Sequence, residues 1–179
     1  GGVDYTASVD DLNRAKEQTC QRLSNDEMSD GECGGFLVWG DPALYDSTIR
    51  ILQAILASGR CVFEFEVIPG ITSVQALAAQ HKVPLNRIGR SIEITTGRRL
   101  AAGQVSDADS LVVMLDAEDS YHRVADQETE IYWGAYLGTA DEILISGKLK
   151  EVADEIERVR KAARLANGWI MDTYLLRKP

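Results

Sequence analysis

Cysteine and histidine are scarce in this chain, and the few present are scattered. Cys20, Cys33 and Cys61 form no Cys-x-x-Cys pair, and His81 and His122 stand neither beside a cysteine nor at helical spacing to each other. That pattern favours reduced thiols in a cytoplasm and gives a structural zinc site little to stand on, so no metal is expected. Positive charge is also in short supply, with 19 Lys and Arg against 28 Asp and Glu and a net charge of -9. A nucleic-acid surface is disfavoured, because phosphate binding draws on Lys and Arg. No apolar run reaches membrane-spanning length and no charged-then-apolar leader opens the chain, so neither a membrane partner nor secretion is expected. A nucleophile-base-acid set is missing as well. What is there is a chain of 179 residues, 45% hydrophobic, able to bury a core as one large domain or two small ones.

Two segments carry the most information. Residues 36–39 are a short apolar run suited to a buried parallel strand, followed at once by Gly40-Asp41-Pro42. Asp41 is a good helix N-cap and Pro42 a good first helical residue, and Leu44, Thr48, Ile51, Leu52, Ile55 and Leu56 continue as one stripe at helical spacing. Gly40, at the carboxyl end of the expected strand, lets a ligand approach the backbone where open α/β sheets bind small molecules. Residues 61–68 repeat the arrangement, with an apolar, partly alternating run that ends in Pro69-Gly70-Ile71-Thr72-Ser73 and a helical stretch over 74–79. Thr72 and Gln75 match a capping box, so the simplest reading of Thr72 and Ser73 is that they cap. His81 ends that helix, where a donor side chain suits the exposed carbonyls.

The remainder reads as mixed strands and helices. Residues 10–23 predict an exposed helix with Leu12, Ala15, Thr19 and Leu23 on its better face, and 25–35 a polar surface loop. Strands are expected at 91–95, 111–115, 130–136, 142–146 and 169–176. A boundary near Gly89 splits the chain into α/β subdomains over 1–89 and 90–179. A late helix places Leu149, Val152, Ile156, Val159 and Ala163 on one face. Its early Glu151, Asp154 and Glu155 and late Arg158, Arg160, Lys161 and Arg164 follow the helix dipole and read as a solvated face. Gly97-Arg98-Arg99 reads as a solvated loop slightly ahead of a carboxylate-binding one. Asp107, Asp109, Asp116, Glu118 and Asp119 lack a fixed ligand spacing and read as surface loops. Tyr132, Trp133 and Tyr136 read as strand packing ahead of a stacking platform.

The two turns together resemble those of the tetrapyrrole methylases, whose signatures include a Gly-Asp-Pro-x-x-Tyr loop, here Gly40-Asp41-Pro42-Ala43-Leu44-Tyr45, and a Pro-Gly-Ile-(Ser/Thr)-Ser loop, here Pro69-Gly70-Ile71-Thr72-Ser73. Leu111-Val112-Val113-Met114 is similar to the family's strand ending in Met. Leu137-Gly138-Thr139-Ala140-Asp141-Glu142, with Ile145-Ser146-Gly147-Lys148-Leu149, is similar to its Gly/Ala-Thr segment and the strand that follows. Longer blocks over 38–48, 67–79, 94–100, 131–139 and 168–177 resemble the branch of cobalamin synthesis that methylates C-1 of precorrin-5 and releases acetate. Members of the family begin with a strand and a Gly-x-Gly-x-Gly-x-Pro loop. Nothing like it precedes Gly34, so that part and one wall of the site are expected to be missing here.

The resemblance implies two α/β subdomains with a cofactor cleft between them, and transfer of a methyl group from S-adenosylmethionine to a carbon of a tetrapyrrole macrocycle, leaving S-adenosylhomocysteine. By motif position the cofactor contacts would be Trp39, Gly40, Asp41, Leu44, Thr72, Ser73, Met114 and Gly138. Tyr45, Asp46 and Tyr136 are candidates to assist acetate release, the catalytic base being otherwise open. The implied partner is a small-molecule tetrapyrrole, and the implied assembly a cytoplasmic homodimer. Alternatives are a methylase of another precorrin, of RNA or of a protein, or a degenerate cofactor-binding module.

Overall fold

Strand-forming residues concentrate after residue 90, and the sheet forms there. The computed structural model describes residues 5–22 and 28–179. Two compact units divide it, Gly1–Thr72 and Ser73–Pro179. The second holds a five-stranded mixed sheet of β1 (Ile92–Thr96), β2 (Ser110–Met114), β3 (Glu130–Ala135), β4 (Ile143–Lys148) and β5 (Asp172–Arg177), in the order β1-β2-β5-β3-β4. Only β1 and β2 run parallel; β5 is antiparallel to both β2 and β3, and β4 to β3. The fold class is therefore α/β, as expected, and the strand nearest the carboxyl end is the middle one. Leu175 stands opposite Val112 on one side and Tyr132 on the other.

Alternation along β3 sorts its residues between two helices. Ile131, Trp133 and Ala135 join Leu149, Ala153 and Ile156 of α5 (Leu149–Asn167) in the main core. Tyr132 and Gly134 point the other way, where the Tyr132 ring meets His81 edge-on at 5.5 Å and Gly134 lies against Leu77. His81 and Leu77 belong to α3 (Ser73–His81), so the two helices cover opposite faces of the sheet. This packing puts α3 with the sheet. The units accordingly divide between Thr72 and Ser73 and not near Gly89. His81 does end α3, and its Nε2 lies 2.9 Å from the Trp133 carbonyl oxygen.

The first unit is helical. In it, α1 (Tyr5–Arg22) packs on α2 (Thr48–Ser58) through a small core of Cys20, Ile51, Ile55 and Cys61, flanked by Leu52 and Phe63. Within the expected helix, Ala15 and Thr19 are exposed, while the Leu12 side chain and Leu23 lie outside the described residues, as do residues 25–27 of the expected loop. The apolar segments 36–39 and 61–68 are not strands: neither joins a ladder among the described residues. A strand exists only with a hydrogen-bonding partner, and among the described residues neither segment takes one. Their side chains stay largely outside, with Leu37 and Val62 fully exposed.

The first helix after the Gly-Asp-Pro turn also starts later than its sequence suggests. Residues 42–45 form turns, with Tyr45 at φ +49°, and α2 begins at Thr48, whose amide donates to Asp46 Oδ1 at 2.7 Å. Asp41 is thus not the N-cap of α2, and Pro42 is not its first residue. The reason lies in what the Asp41 carboxylate does instead.

Candidate functional site

The Asp41 carboxylate ties two loops together. Its Oδ1 accepts the amide of Ala43 at 2.7 Å, closing the Gly-Asp-Pro turn, and its Oδ2 accepts the amide of Gly70 at 2.9 Å, twenty-nine residues away. The backbones of the two loops also approach closely. A Cβ on Gly70 would sit 2.1 Å from the Gly40 carbonyl oxygen, and one on Gly40 would sit 3.4 Å from Thr72 Cα. Gly40 is also at φ +68°, a conformation side chains disfavour. Around this junction Trp39 is 73% exposed, Leu44 is half-buried and Thr72 is buried. The two sequence motifs that suggested a shared ligand do meet.

Accepting the Gly70 amide first and the Ala43 amide second holds the Asp41 carboxyl below its ordinary value. A depressed native pKa means that its contribution is complete above the unfolded value of 3.8 and disappears as pH falls through the lower folded value. In an acid titration followed by amide NMR, the Gly70 and Ala43 resonances are therefore expected to move together, with a shared midpoint under 3.8. Separate midpoints, or one at a normal carboxylate value, would contradict the clasp.

The second unit carries the other expected contacts. Ser73 opens α3 and is half-buried. Met114 ends β2 and stands opposite Thr173, which on its other side stands opposite Gly134, so the carboxyl ends of β2 and β3 share one edge of the sheet. Gly138 lies three residues past β3 at φ +78°, exposed, with its amide donating to Glu142 Oε2 at 2.8 Å. Strain marks both strand ends, since Leu115 and Tyr136 have φ of +54° and +50°. Tyr136 is buried, its hydroxyl donating to the Trp169 carbonyl at 2.6 Å and its ring packing edge-on against Trp169. Trp133 is fully buried as well, which supports the packing reading for both residues.

Behind this edge lies a polar network that the sequence reading missed. Asp116 is buried, and its carboxylate accepts from the Ser120 amide and hydroxyl, the Glu118 amide and the Tyr174 hydroxyl at 2.7 to 3.1 Å. Arg160 is buried too, donating through Nε to Asp172 Oδ2 at 2.9 Å and through Nη2 to the Asp116 carbonyl at 2.5 Å. Asp172 Oδ2 also accepts the Trp133 indole N–H at 2.9 Å. Burial pushes the Asp172 carboxyl above its ordinary value despite the guanidinium beside it, and pushes the Tyr174 hydroxyl well up. The expected surface placement of Asp116 and of Arg160 is thus corrected: both lie inside, where each satisfies the other's surroundings. Gly97, Arg98 and Arg99 form the first turn of a short helix, α4 (Gly97–Ala101), instead of a loop, with both arginines exposed.

One group of possible metal donors occurs among the described residues, His122, Asp154 and Glu157, whose donor atoms lie within 4.8 Å of one another. Glu157 there bonds His122 at 3.0 Å and pairs with Lys161. Cys20, Cys33 and Cys61 form no disulfide, and no helix among the described residues is long and apolar enough to cross a membrane.

Comparison with known proteins gives the family. Residues 3–153 match the family model of the tetrapyrrole (corrin/porphyrin) methylases. The chain belongs to the tetrapyrrole methylases. A Sinorhizobium member named precorrin-6A synthase (deacetylating) is 54% identical over 177 residues, covering 99% of this chain and 68% of the relative. The crystal structure of a Corynebacterium diphtheriae protein described as cobalamin synthesis related (CobF) superposes with a TM-score of 0.85. It is 40% identical, covering 92% of this chain and 69% of that one. A uroporphyrin-III C-methyltransferase from Thermus thermophilus, solved with S-adenosylhomocysteine, shares the methylase fold at a TM-score of 0.53 and 19% identity, over 78% of this chain and 63% of its own.

Proposed function

We propose that this chain is an S-adenosylmethionine-dependent C-methyltransferase of cobalamin biosynthesis, methylating C-1 of precorrin-5 with loss of acetate to give precorrin-6A. The structural observation that supports it most directly is the backbone junction of residues 40–41 with 70–72, held by the Asp41 carboxylate. The choice of substrate rests on the identity to the Sinorhizobium relative.

The residues fit a sulfonium nucleotide. When bound, S-adenosylmethionine supplies a methyl group that is already activated, so what the protein must provide is placement and exclusion of water. Such placement is suited by backbone groups and small residues, and the junction at Gly40 and Gly70 consists of those. In this reading Trp39, Gly40, Asp41, Leu44 and Thr72 of the first unit and Ser73, Met114 and Gly138 of the second hold the cofactor. Both Asp41 oxygens already accept amide hydrogens, so its role is to shape the loop and not to move a proton. For acetate release, Tyr136 has its hydroxyl engaged by Trp169 and Asp46 has one oxygen engaged by Thr48, while Tyr45 is 46% exposed and the most accessible of the three. The same family reading extends to a cytoplasmic homodimer with a small-molecule tetrapyrrole as substrate and no membrane or nucleic-acid partner.

The test is to incubate the full-length protein with methyl-labelled donor and precorrin-5. Labelled corrinoid and free acetate in equal amounts are expected. Label without acetate would assign it to a different methylation step, and no transfer at all would overturn the reading.

A further inference from the structure

The strand-end turns that carry Met114 and Gly138 are both held in unfavourable backbone conformations, Leu115 at φ +54° and Tyr136 at φ +50°. Non-glycine residues persist there only when their surroundings over-determine them. Both turns lead back to one side chain. Arg160 donates through Nη2 to the carbonyl of Asp116, the residue after Leu115. Through Nε and Nη2 it also grips the Asp172 carboxylate, at 2.9 and 3.4 Å. Asp172 directly follows Met171, whose carbonyl accepts the Tyr136 amide at 3.0 Å. A single buried guanidinium thus spans the ends of β2 and β3 across the intervening strand.

We infer that Arg160 is a positioning residue for the methyl donor, fixing from behind the two turns whose front surfaces bear Met114 and Gly138. It makes no contact with substrate itself and acts through Asp116 and Asp172. The inference rests on the methyl-donor reading above. A planar fork is required: the guanidinium reaches a carbonyl and a carboxylate at once, whereas an ammonium is a single point charge that satisfies one of them.

The test compares the wild-type protein with Arg160→Lys and with Asp172→Asn, the second preserving size and an acceptor for Trp133 while weakening the grip on Arg160. Calorimetry with S-adenosylhomocysteine and steady-state kinetics are the readouts, with melting curves to show that the variants fold. For folded Arg160→Lys, the Kd for S-adenosylhomocysteine and the KM for the donor are expected to rise roughly tenfold, the size of a typical coupling between a positioning residue and the site it holds. The KM for the macrocycle should stay unchanged. Leu115 and Tyr136 amide resonances should shift in the same variant. Asp172→Asn should show the same pattern more weakly, and carries the test if Arg160→Lys does not fold. If the wild type binds S-adenosylhomocysteine and the folded variants bind it equally well, Arg160 has no positioning role and the methyl-donor reading survives. If the wild type does not bind it, that reading fails and takes the inference with it.

Discussion

Gly70→Ala is expected to lower affinity for S-adenosylhomocysteine by roughly 100-fold, equivalent to about 3 kcal/mol of lost contacts. The new Cβ would lie 2.1 Å from the Gly40 carbonyl oxygen, where ordinary contact needs over an ångström more, and both neighbours are backbone that no rotamer change can move aside. The loops must part, and the Asp41 bond to the Gly70 amide lengthens as they do. Because the junction lies on the surface, the melting temperature should fall by only about 2–4 °C, the equivalent of some 1 kcal/mol in a chain of this size. Gly35→Ala is the control, since a Cβ there meets nothing within 4 Å and should change neither quantity. Calorimetry on the two variants side by side decides the matter; equal affinities would remove the loop junction from the binding site.

Asp116→Leu should have the largest effect on stability, a loss of about 3–5 kcal/mol, the range for removing one partner from a buried polar network. Four donors converge on that carboxylate from Ser120, Glu118 and Tyr174, and leucine would leave the buried ones unpaired in a site already shaped around a charge. Asp116→Asn should cost less, since one oxygen survives as an acceptor. Urea unfolding of the two variants is the check, with near-wild-type stability of Asp116→Leu as the contrary result. These two substitutions are expected to part company: Gly70→Ala spares the fold and damages binding, while Asp116→Leu damages the fold.

Much of the second unit was legible because its pattern is local. The α5 stripe of Leu149, Val152, Ile156, Val159 and Ala163 does face the core, and the expected strands appear within a few residues of β1 to β5. Residues 36–39 and 61–68 misled for a physical reason. Their composition suits a strand, yet strand formation is a property of pairs, and composition says nothing about whether a partner lies alongside. Asp41 misled in a similar way. Its type and position suit a helix cap, but its carboxylate is claimed by Gly70, and only the family resemblance linked the two loops. The Asp116–Arg160–Asp172 network was hidden because charged residues on a helix and beside a strand normally face water, and its members are separated by 44 and 12 positions. One signal existed: Asp172 is the one charged residue in the mostly apolar stretch from Trp169 to Leu176, an arrangement that asks for a buried cation.

The place of β5 has a consequence for how the molecule comes into being. Asp172–Arg177 bonds to β2 on one side and β3 on the other, so without it the sheet is two separate pairs, β1 with β2 and β3 with β4. A nascent chain cannot complete this sheet until those six residues have left the ribosome, and hydrophobic strands made earlier must wait for them. Loss of that short segment through a premature stop would therefore remove the keystone of the unit and leave its apolar faces open to chaperones and proteases.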